Sequence, residues 1–399
     1  MGEKFAKIKD ENKILLMLAF YSISIGLWTN FKQLWLQDNF LDVARISQIL
    51  SISGFFCVIA LLLFTTKISL KNIKKVITIA IFLKVVNLII LAILNHTGHK
   101  TIIEISIILD TILENLIIMN IYPLIVTIKK DNKLYSKRKL VEYLFKDIGI
   151  LVGGIFIGKT IVGLTINYNI CLVVSVLFLV LAYIMMLNIK TKVKEEKTTN
   201  IKQSLKYMLK DKITKKYFES ILISEMAMNT GLGLKMLMLT NLFGFSDGNA
   251  TNYLLIIGLV ADCIGILALK YFTPKNDYAT LTIKFGIRFL LYLIAFLSNH
   301  LMVCFIAMSW SILISTAYEN VTDAPYINRI PNEYQIIFTN YRYMAKMIGS
   351  SLGLYFAGIM YWLGIPYMLG LSAFFMIFQI SYAYYLIYLR GQEKMNKQS

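Results

Sequence analysis

The sequence predicts an all-α membrane protein, with twelve transmembrane helices in two pseudo-symmetric six-helix halves. Three observations carry this expectation: twelve apolar stretches, basic residues gathered into alternate connections, and a segment that recurs 200 positions later. An apolar stretch of about 20 residues crosses the hydrocarbon core as a helix, because a helix satisfies its own backbone hydrogen bonds where water is absent.

In chain order the predicted spans are 13–35, 46–66, 75–95, 102–128, 140–163, 170–187, 217–241, 253–272, 279–298, 301–327, 334–363 and 367–389. With the N-terminus in the cytoplasm, the inner connections carry Lys4, Lys7, Lys9 and Lys13, then Lys67, Lys71, Lys74 and Lys75. The 129–139 loop adds six basic residues and the 190–216 segment ten; Lys270, Lys275, Arg329, Arg390, Lys394 and Lys397 complete the set. Together these are 30 of the 41 basic residues. The opposite side has Arg45 and Lys100 in its loops, with Lys32 and Lys159 near the outer ends of spans. The excess of inward positive charge therefore places both termini in the cytoplasm of a plasma (inner) membrane protein.

Composition excludes other classes. With 57% hydrophobic residues, a mean hydropathy of +0.64 and 5 prolines, 399 residues leave little room for a soluble domain. The net charge of +18 sits where anionic lipid headgroups meet it, and no basic patch interleaved with aromatics stands outside the spans, so nucleic acid is not an expected partner. The first apolar run lacks a small-residue cleavage site and reads as a retained span. Cys57, Cys171, Cys263 and Cys304 fall within spans without paired spacing and read as packing residues.

The domain organisation follows: an N-terminal half at 1–188, a cytoplasmic linker at 189–216 and a C-terminal half at 217–399. The linker opens on a mixed-charge run. Beyond it Ile201, Leu205, Met208 and Leu209 cluster on one side of a helical wheel while Lys206 and Lys210 point away, which predicts an amphipathic helix on the inner membrane surface. The repeat aligns 142–158, EYLFKDIGILVGGIFIG, with 342–358, RYMAKMIGSSLGLYFAG. Seven of these 17 positions are identical, Lys146/Lys346, Gly149/Gly349 and Gly153/Gly353 among them. Glu114-Asn115 recurs as Glu319-Asn320, Asn95-His96 as Asn299-His300, and Lys84 as Lys284. A duplicated six-span unit accounts for these echoes.

Two six-helix halves, a long basic central loop and cytoplasmic termini resemble the major facilitator superfamily of secondary transporters. That family carries a Gly-x3-Asp-Arg/Lys-x-Gly-Arg/Lys signature between spans two and three. Here the segment from Thr65 to Lys75 keeps basic residues (Lys67, Lys71, Lys74, Lys75) and lacks the glycines and the aspartate. The arginine common in the fourth span of proton-coupled members is absent too. The resemblance implies that spans one, four, seven and ten line a central cavity, while spans three and nine lie at the periphery.

Charged side chains near the bilayer centre cost about 2.5–3.5 kcal/mol on insertion scales, so each needs a partner or a wet cavity. Asp110 and Glu114 lie four apart in span four, beside Asn115; Glu319 and Asp323 lie four apart in span ten, beside Asn320. On the implied cavity these six residues would bind substrate or protons, closely spaced carboxylates raising one another's affinity for a proton. Alternatively they neutralise basic residues and lock helices together. Lys146, Arg342 and Lys346 are the candidate partners, for gating or charge pairing. Asp262 and Lys235 are weaker candidates. Lys84, Lys284 and Arg288, in the peripheral spans three and nine, are expected to snorkel.

The glycines of spans five and eleven permit close helix approach, and resemble an exporter motif without its proline. His96, His99 and His300 read as interfacial residues, so no metal is expected. No Walker-type phosphate loop and no intramembrane histidine are present, so neither a cofactor nor enzymatic activity is expected. The expected function is secondary active transport of a small solute by alternating access, ion-coupled, with efflux slightly favoured and the monomer as functional unit. A transporter-like lipid flippase or membrane sensor is the alternative.

Overall fold

The structure, a computed structural model, describes residues 10–29, 31–40, 42–65, 72–95, 97–128, 132–158, 168–190, 206, 210–271, 277–327 and 335–396. Among these residues there is no strand, and twelve long helices follow one another: α1 Asp10–Thr29, α2 Val43–Thr65, α3 Ile73–Leu94, α4 Lys100–Ile128, α5 Asn132–Gly158, α6 Tyr168–Leu187, α7 Lys212–Leu232, α8 Asp247–Tyr271, α9 Asp277–Ser298, α10 Leu301–Ile327, α11 Gln335–Tyr361 and α12 Ile365–Asn396. Each corresponds to one apolar stretch. The expected amphipathic helix around Ile201, Leu205, Met208 and Leu209 lies outside the described residues.

Two spans read as single helices are in fact broken. The first continues as a separate short helix, Lys32–Phe40. The seventh ends at Leu232, restarts for one turn at Lys235–Leu237 and widens into a π turn at Met238–Leu242. Gly231 and Gly233 weaken the helix at this point. A Cβ on Gly233 would also collide with the Asn229 carbonyl, which the Gly233 N–H caps at 2.9 Å.

The chain divides into two compact units. Unit 1 is Met1–Asp42, Ile59–Thr198 and Leu239–Leu255; unit 2 is Val43–Val58, Thr199–Met238 and Ile256–Ser399. In unit 1 the main packed pairs are α1–α5, α1–α6, α3–α4 and α3–α6; in unit 2 they are α7–α11, α7–α12, α9–α10 and α9–α12. These are the same four pairs, shifted by six helices. Matching serines underline it: Ser175 of α6 donates to the Ser24 carbonyl of α1 at 3.1 Å, and Ser372 of α12 donates to the Ala227 carbonyl of α7 at 2.5 Å.

The repeated glycines make close backbone contacts within each unit. A Cβ on Gly149 would meet the Ile23 carbonyl of α1, and one on Gly349 the Leu222 carbonyl of α7. Gly26 and Gly353 press in the same way on the Lys146 and Met226 carbonyls. Such approach brings backbone dipoles and dispersion contacts together without relying on a hydrophobic driving force that lipid does not supply.

Apolar side chains lie on the outside of the helices as well as in the core. Along α3, Phe82, Leu83, Val86, Ile90 and Ile93 are exposed, whereas Lys84 and Asn87 are each 1% exposed. With lipid as solvent, apolar side chains face outward and polar ones are satisfied inside. Among the described residues, five stretches qualify by length and composition alone as crossing a membrane: Asp10–Asn39, Val43–Leu63, Ile73–Leu94, Tyr168–Leu187 and Ile365–Leu389. Several of the others carry interior charges.

Lysines close the end of α6. Lys74 donates to the Leu187 carbonyl at 3.1 Å and to the Ile189 carbonyl at 2.5 Å, and Lys13 donates to the Asn188 carbonyl at 3.1 Å. Asp10 holds Lys13 at 3.2 Å and accepts from the Lys190 N–H at 3.3 Å. Cations at a helix C-terminus satisfy orphan carbonyls and oppose the dipole. Lys74→Met is therefore expected to destabilise unit 1 by about 0.5–1 kcal/mol. It should also accelerate amide exchange at the end of α6 without disturbing α11, which peptide-resolved hydrogen exchange would detect.

Candidate functional site

Asp110 and Glu114 share one face of α4, one turn apart. The side chain of Asp110 is fully buried and that of Glu114 is 16% exposed. Lys84 of α3 reaches both, with Nζ 2.6 Å from Asp110 Oδ1 and 3.0 Å from Glu114 Oε2. Lys32, on the short helix after α1, approaches the other oxygen of Asp110 at 2.7 Å. Trp28 Nε1 donates to that same Oδ2 at 2.9 Å. Both oxygens of Asp110 are thus occupied by donors, which requires the ionised carboxylate. Tyr21 donates from its hydroxyl to the Glu114 carbonyl at 3.3 Å. The result is a charge-balanced cluster of two lysines and two acids, built from α1, the short helix, α3 and α4, all in unit 1.

Three sequence expectations change here. Lys84 does not snorkel: it is 1% exposed and bridges two carboxylates. Arg288 does not snorkel either, at 1% exposure, nor does Lys284, at 8%. The peripheral position implied for a helix says nothing about which of its faces a residue occupies. Finally, Asp110 and Glu114 do not stand as a bare acidic pair, because an ammonium group lies between them and offsets their repulsion. Asn115 stays out of the cluster, its Nδ2 donating to the Thr111 carbonyl at 2.8 Å.

Lys146 is half-buried on α5 and has no ion pair among the described residues. Lys346 pairs with Glu225 of α7 at 3.3 Å, inside unit 2, and Arg342 lies one turn before it on α11, half-buried. Glu319, Asn320 and Asp323 fall on α10, but their side chains lie outside the described residues, as does that of Asp262. His99 and His300 are exposed, and no group of potential metal ligands is present among the described residues.

Sequence reasoning missed several partners. Lys32, Trp28, Glu225 and Arg288 are among them, as is Tyr168, whose hydroxyl donates to Asp247 within unit 1. One signal was available: Lys84 with Asn87, and Lys284 with Arg288, recur at helical spacing in otherwise apolar stretches. In unit 2, Arg288 Nε donates to Ser311 Oγ at 2.8 Å, and the Tyr292 hydroxyl lies 2.7 Å from the same oxygen. A cavity of about 190 Å³ opens at the break after α7, lined by Met228, Asn229, Leu232, Gly233, Lys235 and Ile312.

No protein-family model matches the sequence, and no curated protein is significantly similar to it. Solved structures are similar throughout. A bacterial homologue of the human lysosomal transporter Spinster, inward-facing and unoccupied, superposes with a TM-score of 0.71 at 12% identity, covering 95% of this chain and 96% of its own. The E. coli fucose:proton symporter FucP gives 0.64 at 12% identity over 94% and 98%. The nucleoside transporter NupG gives 0.69 at 11% identity over 95% and 98%. The chain shares the fold of these solved transporters.

Proposed function

We propose that the protein is a secondary active transporter that carries a small solute across the plasma membrane by alternating access, coupled to protons through the unit 1 cluster. The observation that supports this reading best is the division of labour between Asp110 and Glu114. Asp110 is sealed and saturated by Lys32, Lys84 and Trp28. Glu114 is partly open, and it shares Lys84 with Asp110. A proton can therefore add to Glu114 while Lys84 keeps a carboxylate partner. Protonation of Glu114 adds one positive charge to a cluster in which Asp110 still faces both lysines, so a proton can be taken up without leaving either cation beyond reach of a carboxylate. Cytoplasmic termini follow from the inward placement of basic residues. An outward direction for the solute is favoured by the exporter-like glycines of α5, and the monomer is the working unit.

Glu114→Gln tests this directly. The amide keeps shape and an acceptor oxygen for Lys84, so the melting temperature should stay within about 4 °C of wild type. Solute-dependent proton movement, followed with a pH-sensitive dye trapped in proteoliposomes, should fall at least tenfold, together with the pH dependence of transport. An unchanged pH profile would remove Glu114 from coupling. A variant that fails to fold would make the residue a structural lock instead.

A further inference from the structure

Two rows of polar residues leave the charge cluster of unit 1 in the direction of the end of α3. On the short helix, Lys32, Trp35 and Asn39 recur at three- and four-residue spacing, which puts them on one side of it. On α3, Lys84 and Asn87 are three apart, and Asn95 caps the end of the helix. The rows are tied at both ends. At one, Lys32 and Lys84 hold the two oxygens of Asp110. At the other, Asn39 Nδ2 donates to Asn95 Oδ1 at 3.0 Å and to the Trp35 carbonyl at 2.9 Å.

Between these ties lie a donor and an acceptor that find no partner among the described residues. Trp35 is 0% exposed with its Nε1 buried, and Asn87 is 1% exposed with its Oδ1 buried. The orientation of the Asn87 amide is fixed. Its Nδ2 donates to the Ser106 carbonyl at 2.9 Å, and a carbonyl can only accept, so the oxygen is the end turned away from Ser106. The helices that α3 packs on, α4 and α6, are described along the stretches nearest Asn87. Lys84 supplies a third group: its ammonium carries three N–H bonds, and the carboxylates of Asp110 and Glu114 take two of them. Buried polar atoms are costly to leave without hydrogen bonds, and one small bridging molecule satisfies all three.

We propose that a water molecule is held between the short helix and α3, where it accepts from Trp35 Nε1 and from the third N–H of Lys84 and donates to Asn87 Oδ1. About three such partners are usual for a buried water. Its role rests on the proton-coupling reading of Glu114. When Glu114 takes a proton it no longer offers Lys84 a negative charge. The water then remains as an acceptor beside Asp110, so the ammonium stays solvated in a dry interior. Trp35 and Asn87 are therefore positioning residues, acting on Glu114 through the water and Lys84.

The first test reads the water itself. Hydroxyl radicals generated by brief X-ray irradiation of the purified full chain in detergent oxidise a buried side chain where water lies against it. After correction for intrinsic reactivity, Trp35 should be oxidised about fivefold faster than Phe338, which is 0% exposed in an apolar cluster of unit 2. Asn87→Leu should bring Trp35 down to the rate of Phe338. Equal protection of Trp35 and Phe338 in the wild-type protein would overturn the proposal, and that comparison needs no variant to fold. The role is read from double-mutant cycles on melting temperature. Trp35→Phe and Asn87→Leu each lose packing or a hydrogen bond of their own, so only the excess over additivity counts. Combined with Glu114→Gln, each should melt about 3 °C or more below the sum of the separate changes, because a neutral side chain at 114 leaves Lys84 dependent on the water. Additive melting temperatures in both cycles would overturn the role assigned to Trp35 and Asn87. The proton-coupling reading fails on a different result, an unchanged pH profile in Glu114→Gln, which leaves the labelling of Trp35 untouched.

Discussion

Asp110→Asn is expected to destabilise the protein by about 3–5 kcal/mol and to remove most of its folded yield. The substitution leaves Lys32 and Lys84 in a dry interior with only Glu114 in reach of one of them. An amide offers Lys32 a dipole where it had a charge, and its NH₂ turns a donor toward a cation or toward Trp28. Restoring balance should restore stability: Asp110→Asn combined with Lys32→Met leaves Lys84 with Glu114 and no stranded charge. Melting temperature and monodisperse yield of the single and double variants provide the measurement. A loss below about 1 kcal/mol in the single variant would mean that the cluster is solvated like a surface pair.

The second large effect is steric. Gly149→Val and Gly353→Val should each cost about 1–3 kcal/mol or more, because the new side chain meets backbone that cannot rotate away. At Gly353 a Cβ would lie 2.5 Å from the Met226 carbonyl oxygen, 2.8 Å from Asn229 Cβ and 3.0 Å from the Thr230 nitrogen. Gly258 and Gly286 are the controls, since nothing lies within 4 Å of a Cβ built on either. Alanine there should be neutral or stabilising by about 0.5–1 kcal/mol, as for any interior helical glycine with open space. Thermal melts of these four variants discriminate between a packing role and incidental glycine content.

The helices were legible in the sequence because lipid demands long apolar stretches, and the repeat was legible because close approach demands glycine at Gly149 and Gly349 alike. Asp110 and Glu114 stood out as acids where an acid is costly. Their partners did not. A lysine in an apolar helix can reach the interface or turn inward, and α3 offers no contrast to decide, since Ile81 and Leu88 beside Lys84 inside are chemically like Phe82 and Ile90 outside. Pairing across 82 residues, as between Trp28 and Asp110, leaves no local trace at all. The break after Leu232 was signalled by Gly231 and Gly233, but glycine in a membrane helix serves packing as often as bending.

The way Lys84 is neutralised also constrains how the chain enters the bilayer. Its acidic partners lie on the following helix, Asp110 coming 26 residues later. When α3 first meets lipid it therefore carries a lysine with no acid in reach, at a penalty of about 2.5–3.5 kcal/mol near the midplane. Lys32, synthesised earlier still, waits for the same aspartate. The arrival of α4 cancels both charges in one event, so α3 and α4 are best inserted together as a hairpin, with the short helix after α1 held nearby until Asp110 appears.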